Sequence, residues 1–126
     1  MKALQVIDQA FRTTTEEQDD TILWLTLSMR GAGGDLSLLL SGHAAYYAVQ
    51  RGTQPALTLG DWRQTQPANL TRDLGNLVAR DVPVYVVDED LEERGLQQLP
   101  LLDGVRRIAR RELADLYDSV DQVWHW

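Results

Sequence analysis

Residues 84–96 read Val84-Tyr85-Val86-Val87-Asp88-Glu89-Asp90-Leu91-Glu92-Glu93-Arg94-Gly95-Leu96, a buried-strand pattern that runs directly into a short acidic helix ending at a glycine. A strand feeding a helix N-terminus is the unit of an open α/β sheet. In such sheets ligands and nucleophiles sit at the carboxyl end of the strand. Here that place holds Val87 and three carboxylates.

The rest of the chain follows the same grammar. Lys2 to Asp8 is apolar at Leu4, Val6 and Ile7 and predicts a first strand. Thr15-Glu16-Glu17-Gln18 fits a capping box and opens a helix to about Arg30 that buries Ile22, Leu23, Leu25 and Met29 and ends at Gly31, Gly33 and Gly34. Asp35 to Leu40 is a short apolar run suited to a strand buried on both faces, and Ser41-Gly42-His43 turns it into a helix from His43 to about Gln50. Arg51 to Ala68, with Pro55, Gly60 and Pro67, predicts a surface excursion with one turn of helix near Asp61-Trp62. Asn69 caps a helix through about Arg80 that buries Leu70, Leu74, Leu77 and Val78. Pro83 to Val87 is the central strand, and Asp88 to Arg94 a short helix with Gly95 as its left-handed cap. Gly104 to Ile108 is a marginal strand, Arg110 to Ser119 a helix with Leu113, Leu116 and Tyr117 on one face, and Gln122 to Trp126 a terminal strand. Strands alternating with helices at this spacing predict one α/β domain over residues 1–126, a three-layer α/β/α fold with a mostly parallel five-stranded sheet.

Composition narrows the chemistry. The 126 residues include no cysteine, which removes disulfides, thiolate zinc sites, iron–sulfur ligation and any persulfide or thioester on this polypeptide. Nineteen acids against twelve Lys plus Arg give a net charge of −7, so nucleic acid is not expected as a direct partner. The start of the chain has no signal-peptide core, and no apolar run approaches the roughly 20 residues of a membrane span. A cytoplasmic protein that does not engage a membrane is the expectation. The one basic cluster, Arg106, Arg107, Arg110 and Arg111, reads as a solvated helix end.

Asp88, Glu89 and Asp90 complement the helix dipole at its first turn. Consecutive helical residues point about 100° apart, so the three do not converge on one ion, and neither a metal nor a cofactor is expected. His43 follows Gly42 at a second strand-to-helix turn and lies near the same edge as Val87, as a structural residue or as part of a pocket. Tyr46 and Tyr47 are adjacent and cannot share a face, so at least one belongs to the core and the other is open to a pocket or an interface. Alternation puts Trp124 and Trp126 on one face of the last strand with His125 opposite, and predicts that both indoles pack into the core. No phosphate-binding glycine loop and no nucleophile elbow is present.

Several segments recur in a telling order: Leu38-Leu39-Leu40-Ser41-Gly42-His43-Ala44-Ala45, Arg94-Gly95-Leu96, Leu101-Leu102-Asp103-Gly104-Val105, Leu113-Ala114-Asp115-Leu116 and Ser119-Val120-Asp121-Gln122-Val123-Trp124. Together they make the chain resemble, over almost its whole length, the DsrE/DsrF/DsrH-like family of sulfur-relay proteins, which includes the Tus proteins of tRNA thiolation. The Val84 to Leu91 segment is most similar to the DsrH branch, and the long front half to the DsrE branch. The resemblance implies a DsrE-like fold with flavodoxin-like layering. It also implies that sulfur-carrying members hold it on a cysteine eight residues before the glycine matching Gly95. Val87 stands at that position, and no persulfide forms on an isopropyl group.

The resemblance thus implies a non-catalytic, cysteine-free subunit or scaffold of a sulfur-relay assembly, as a homo-oligomer or beside cysteine-bearing DsrE-like paralogues, with a small sulfur-carrier protein as a further partner. Two rival readings stand beside it. One is a small-molecule module whose carboxyl-edge pocket lies near Gly42, His43 and Val87, with Tyr46, Asp88 and Asp90 as further pocket or interface residues. The other is an enzyme working through His43 and Asp88.

Overall fold

A computed structural model describes residues 1–11, 20–49 and 55–126. In chain order the elements are β1 (Lys2–Ile7), α1 (Thr21–Gly31), β2 (Asp35–Leu40), a 3₁₀ helix (Gly42–Ala48), β3 (Thr58–Leu59), β4 (Trp62–Arg63), α2 (Leu70–Ala79), β5 (Val84–Val87), α3 (Asp88–Glu93), β6 (Val105–Ile108), a 3₁₀ turn (Arg110–Glu112), α4 (Leu113–Asp118) and β7 (Gln122–His125). Five strands form one sheet in the order β6-β5-β2-β1-β7, and every neighbouring pair is parallel. The expected three-layer α/β/α architecture is the one observed.

Chain direction and crossover handedness decide which layer each helix joins. From β1 through β2 and β5 to β6 the chain steps one way across the sheet, so right-handed crossovers put α1, α2 and α3 on one face. The return from β6 to β7, on the far side of β1, places α4 on the other face. Two cores result. Ile7, Leu38, Leu40, Leu74, Leu77, Val86 and Leu91 fill the first, while Leu4, Val6, Leu39 and Val87 form the second beneath Ile108, Leu113, Leu116, Tyr117 and Val120. Leu38, Leu39 and Leu40 have no exposed surface, as a strand covered on both sides requires.

Four local expectations change. Helix α1 starts at Thr21, where Asp20 accepts from the Ile22 and Leu23 amides and its second oxygen accepts the Tyr47 hydroxyl; the capping box at Thr15 to Gln18 lies outside the described residues. The segment after β2 is a 3₁₀ helix rather than an α-helix to Gln50. It presses Ala44, Ala45, Tyr47 and Ala48 flat onto the core, and the Ala48 carbonyl accepts the Leu102 amide at 2.8 Å. Instead of a helical turn near Asp61-Trp62, β3 and β4 form an antiparallel hairpin whose tip has Gly60 at φ 59°. The indoles of Trp124 and Trp126 do share the α1 side, as the bond from Trp126 Nε1 to Gln5 Oε1 shows, but they are not core residues. Strand β7 is the sheet edge, so Trp124 is half-buried and Trp126 remains 38% exposed.

Gly104 governs the entry to β6. Its φ is 86°, and a Cβ built there would overlap Val78 Cγ1. Left-handed strain and overpacking therefore add. Gly104→Ala is expected to lower unfolding free energy by about 2–4 kcal/mol in urea titration, and Val78→Ala in the same chain to recover only the steric part.

Candidate functional site

The chain leaves β5 toward α3 on one face and leaves β6 toward α4 on the other. Where successive connections diverge in this way, a crevice opens outside the carboxyl ends of the strands, and α/β proteins bind ligands there. Val87 closes β5 and stands opposite Ile108, the last residue of β6. Its side chain is 1% exposed and faces the α4 layer, packed into the cluster of Leu4, Val6 and Leu39 that Ile108, Leu113, Leu116 and Tyr117 overlie. The position that the resemblance gives to a nucleophile is a sealed apolar plug.

Ion pairs occupy the rim above it. Arg107 Nη1 donates to Asp88 Oδ1 at 2.8 Å and Arg107 Nη2 to the Gln97 carbonyl at 2.9 Å. The Arg110 amide donates to Glu89 Oε2 at 2.8 Å. Asp90 accepts twice, from the Gly42 amide on Oδ2 at 2.8 Å and from Arg110 Nη2 on Oδ1 at 2.7 Å. Two sequence expectations are corrected here. Asp90 is 8% exposed and joins three segments, and so is not one of three surface carboxylates complementing a dipole. Arg107 and Arg110 face the acids of α3, so the basic cluster is not simply a solvated helix end. Desolvation pulls the Arg110 pKa down, and the charges and hydrogen bonds of Asp90 and Glu93 outweigh it, leaving it above the usual guanidinium value.

The structure brings Gly42, Asp88 and Asp90 into this rim and leaves His43 and Tyr46 aside. His43 is exposed on the 3₁₀ helix, which packs on the face opposite the Val87 side chain. Tyr46 is 37% exposed beside Phe11, whereas Tyr47 is fully buried with its hydroxyl between Asp20 and the Phe11 amide. Among the described residues no group of three or more His, Asp or Glu is disposed to hold a metal ion.

A second polar cluster escapes sequence reasoning altogether. The Asp8 carboxylate accepts the Ser41 hydroxyl on one oxygen and faces His125 Nδ1 at 3.2 Å with the other. A carboxylate rather than an imidazole accepts the serine O–H, so the cluster lacks the Ser-His-Asp order in which the imidazole is the base. Its members lie at the ends of the first, second and last strands, which only the sheet order makes neighbours. Tyr117 reaches the same region from α4; burial first, and then the Asp8 charge, raises its phenol pKa.

Replacing Asp90 by Ala leaves the Gly42 amide without its acceptor and is expected to cost about 1–3 kcal/mol of stability in chemical denaturation. For Tyr117 the folded pKa lies above the ordinary 10.0, so the unfolded chain loses the phenolic proton first. The stabilisation is complete below that value and disappears as pH rises through the folded pKa. Urea titrations between roughly pH 9 and pH 11 should show a steeper alkaline loss for the wild type than for Tyr117→Phe.

No protein-family model and no curated protein matches the chain. Among solved structures the ychN protein from E. coli is similar, with a TM-score of 0.76, 28% sequence identity, and coverage of 99% of this chain and 98% of that one. The neighbour has a DsrE-like fold, and the likeness extends from the first strand to the last. The architecture built above is therefore a DsrE-like three-layer α/β/α domain.

Proposed function

We propose that this chain is a non-catalytic, cysteine-free subunit of a DsrE-like sulfur-transfer assembly. One observation carries the reading: a buried valine stands at the divergence crevice of a DsrE-like sheet, where the family resemblance gives carrier members their cysteine. A sulfur carrier needs a thiolate that is accessible and stabilised, and a helix N-terminus beneath an open crevice supplies both. Val87 provides neither a thiol nor access. The pairs from Asp88 to Arg107 and from Asp90 to Arg110 and Gly42 hold the rim in one shape. The chain's work is then structural: to complete an interface around the active cysteine of a DsrE-like paralogue in the cytoplasm and to shape the approach of a small sulfur-carrier protein.

Incubating the purified chain with a persulfide donor, followed by intact mass spectrometry under denaturing conditions, is expected to show no added sulfur. A covalent adduct that survives denaturation would sink the proposal. The positive arm is native mass spectrometry after co-expression with a cysteine-bearing DsrE-like paralogue. A defined complex supports the subunit role, and two separate species would contradict it.

A further inference from the structure

The amino edge of the sheet, at the far end of the strands from the rim at Val87, is only partly covered on the α4 side. Helix α4 runs back from the carboxyl ends of the strands and stops at Asp118. Beneath its end a cavity of about 100 Å³ opens among Lys2, Asp35, Ser37, Tyr85, Leu116 and Ser119. Alternation puts the four strand residues on this one face, because Leu4, Val6, Leu39 and Val87 of the same strands fill the core under α4. Register brings them together. Lys2 stands opposite Asp35, Leu4 opposite Ser37, and Leu39 opposite Tyr85.

The polar groups of this cavity are unspent. Among the described residues the side chains of Lys2, Asp35, Ser37 and Tyr85 make no hydrogen bond or ion pair. The Asp121 carboxylate accepts the Lys2 backbone amide at 2.7 Å and leaves the ammonium free. Ser119 differs, because its Oγ donates to the Leu116 carbonyl at 2.6 Å and so can only accept from anything else. The cavity therefore has two poles. Lys2, with the hydroxyls of Ser37 and Tyr85 free to donate, forms a positive one; Asp35, the Ser119 oxygen and the carbonyl end of α4 form a negative one. Lys2 and Asp35 belong to neighbouring strands, about 4.8 Å apart.

From this we infer that the cavity binds a free α-amino acid with a small side chain. Its carboxylate meets Lys2, Ser37 and Tyr85, and its ammonium donates to Asp35 and to Ser119 Oγ. Unlike charges one strand apart suit a ligand whose own two charges are separated by a single carbon. Leu116 and Val120 supply an apolar wall for a methyl group. The volume equals that of about three waters at liquid density, which admits glycine or alanine and excludes a branched side chain such as that of leucine. A zwitterion carries no net charge, so the −7 of the chain does not repel it. A simple anion would face Asp35, and a simple amine would face Lys2. This site lies at the opposite edge of the sheet from Val87 and is independent of the sulfur-transfer reading.

Titration of the isotope-labelled chain with L-alanine, followed by amide chemical shifts, is expected to saturate in the millimolar range, with the shifts concentrated at Ser37, Tyr85 and Ser119. Acetate and ethylamine each keep one pole, and leucine keeps both but is too large; all three should bind at least about tenfold more weakly than alanine. Ser37→Ala and Tyr85→Phe should each weaken alanine by about tenfold, and Lys2→Gln or Asp35→Asn should abolish saturation. Both charged residues are exposed, so these two variants keep the fold, which unchanged shifts in the rest of the spectrum verify. No saturable shift at the three amides, acetate binding as tightly as alanine, or a folded Asp35→Asn variant that binds alanine like the wild type would each overturn the inference.

Discussion

One carboxylate holds the carboxyl edge together. Asp90 lies at the start of a six-residue helix, reaches back to the amide of Gly42 at the end of β2, and reaches across to Arg110 beyond β6. A nearly buried charge is tolerable only when it is paired and its oxygens are filled, and both conditions are met here. Its neighbours Asp88 and Glu89 extend the same join to Arg107 and to the Arg110 amide. The edge of the sheet where chemistry would be expected is in this way braced from three segments that are far apart in sequence.

This bracing changes what the crevice is suited to do. Beneath the rim lies Val87 in an apolar layer, and above it the acids of α3 are matched by arginines. The rim's charges are thus satisfied from within the chain. The rim presents a fixed contour, which suits a subunit whose contribution is shape. The Asp8, Ser41 and His125 cluster runs along the ends of β2, β1 and β7 and adjoins this contour where Ser41 precedes Gly42.

Much of the fold is legible in the sequence because its signals are local. The apolar runs at Leu38 to Leu40 and Val84 to Val87, the Asn69 cap and the Gly95 turn each declare themselves within a few residues, and each stands where it was expected. What was missed depends on distant partners. The role of Asp90 requires knowing that β2 and β6 flank β5, and the exposure of Trp124 and Trp126 requires knowing that the last strand returns to the edge beside β1. The 3₁₀ helix after Gly42 packs against tertiary neighbours and not by propensity, and Ala48 completes its hydrogen bonding with Leu102. The hairpin at Leu59 to Trp62 was hidden because two-residue strands are too short to show alternation.

The two covers of the sheet are unequal. Among the described residues, three helices and a 3₁₀ segment shield one side, whereas one short helix with no fully buried residue shields the other. Local opening costs less where apolar burial is thin, so detachment of that helix is the least costly way to uncover this side of the sheet. Detachment would bare Leu4, Val6, Leu39 and Val87 together. Amide exchange along the strands beneath would then follow the clasp of this one helix rather than the global unfolding of the domain.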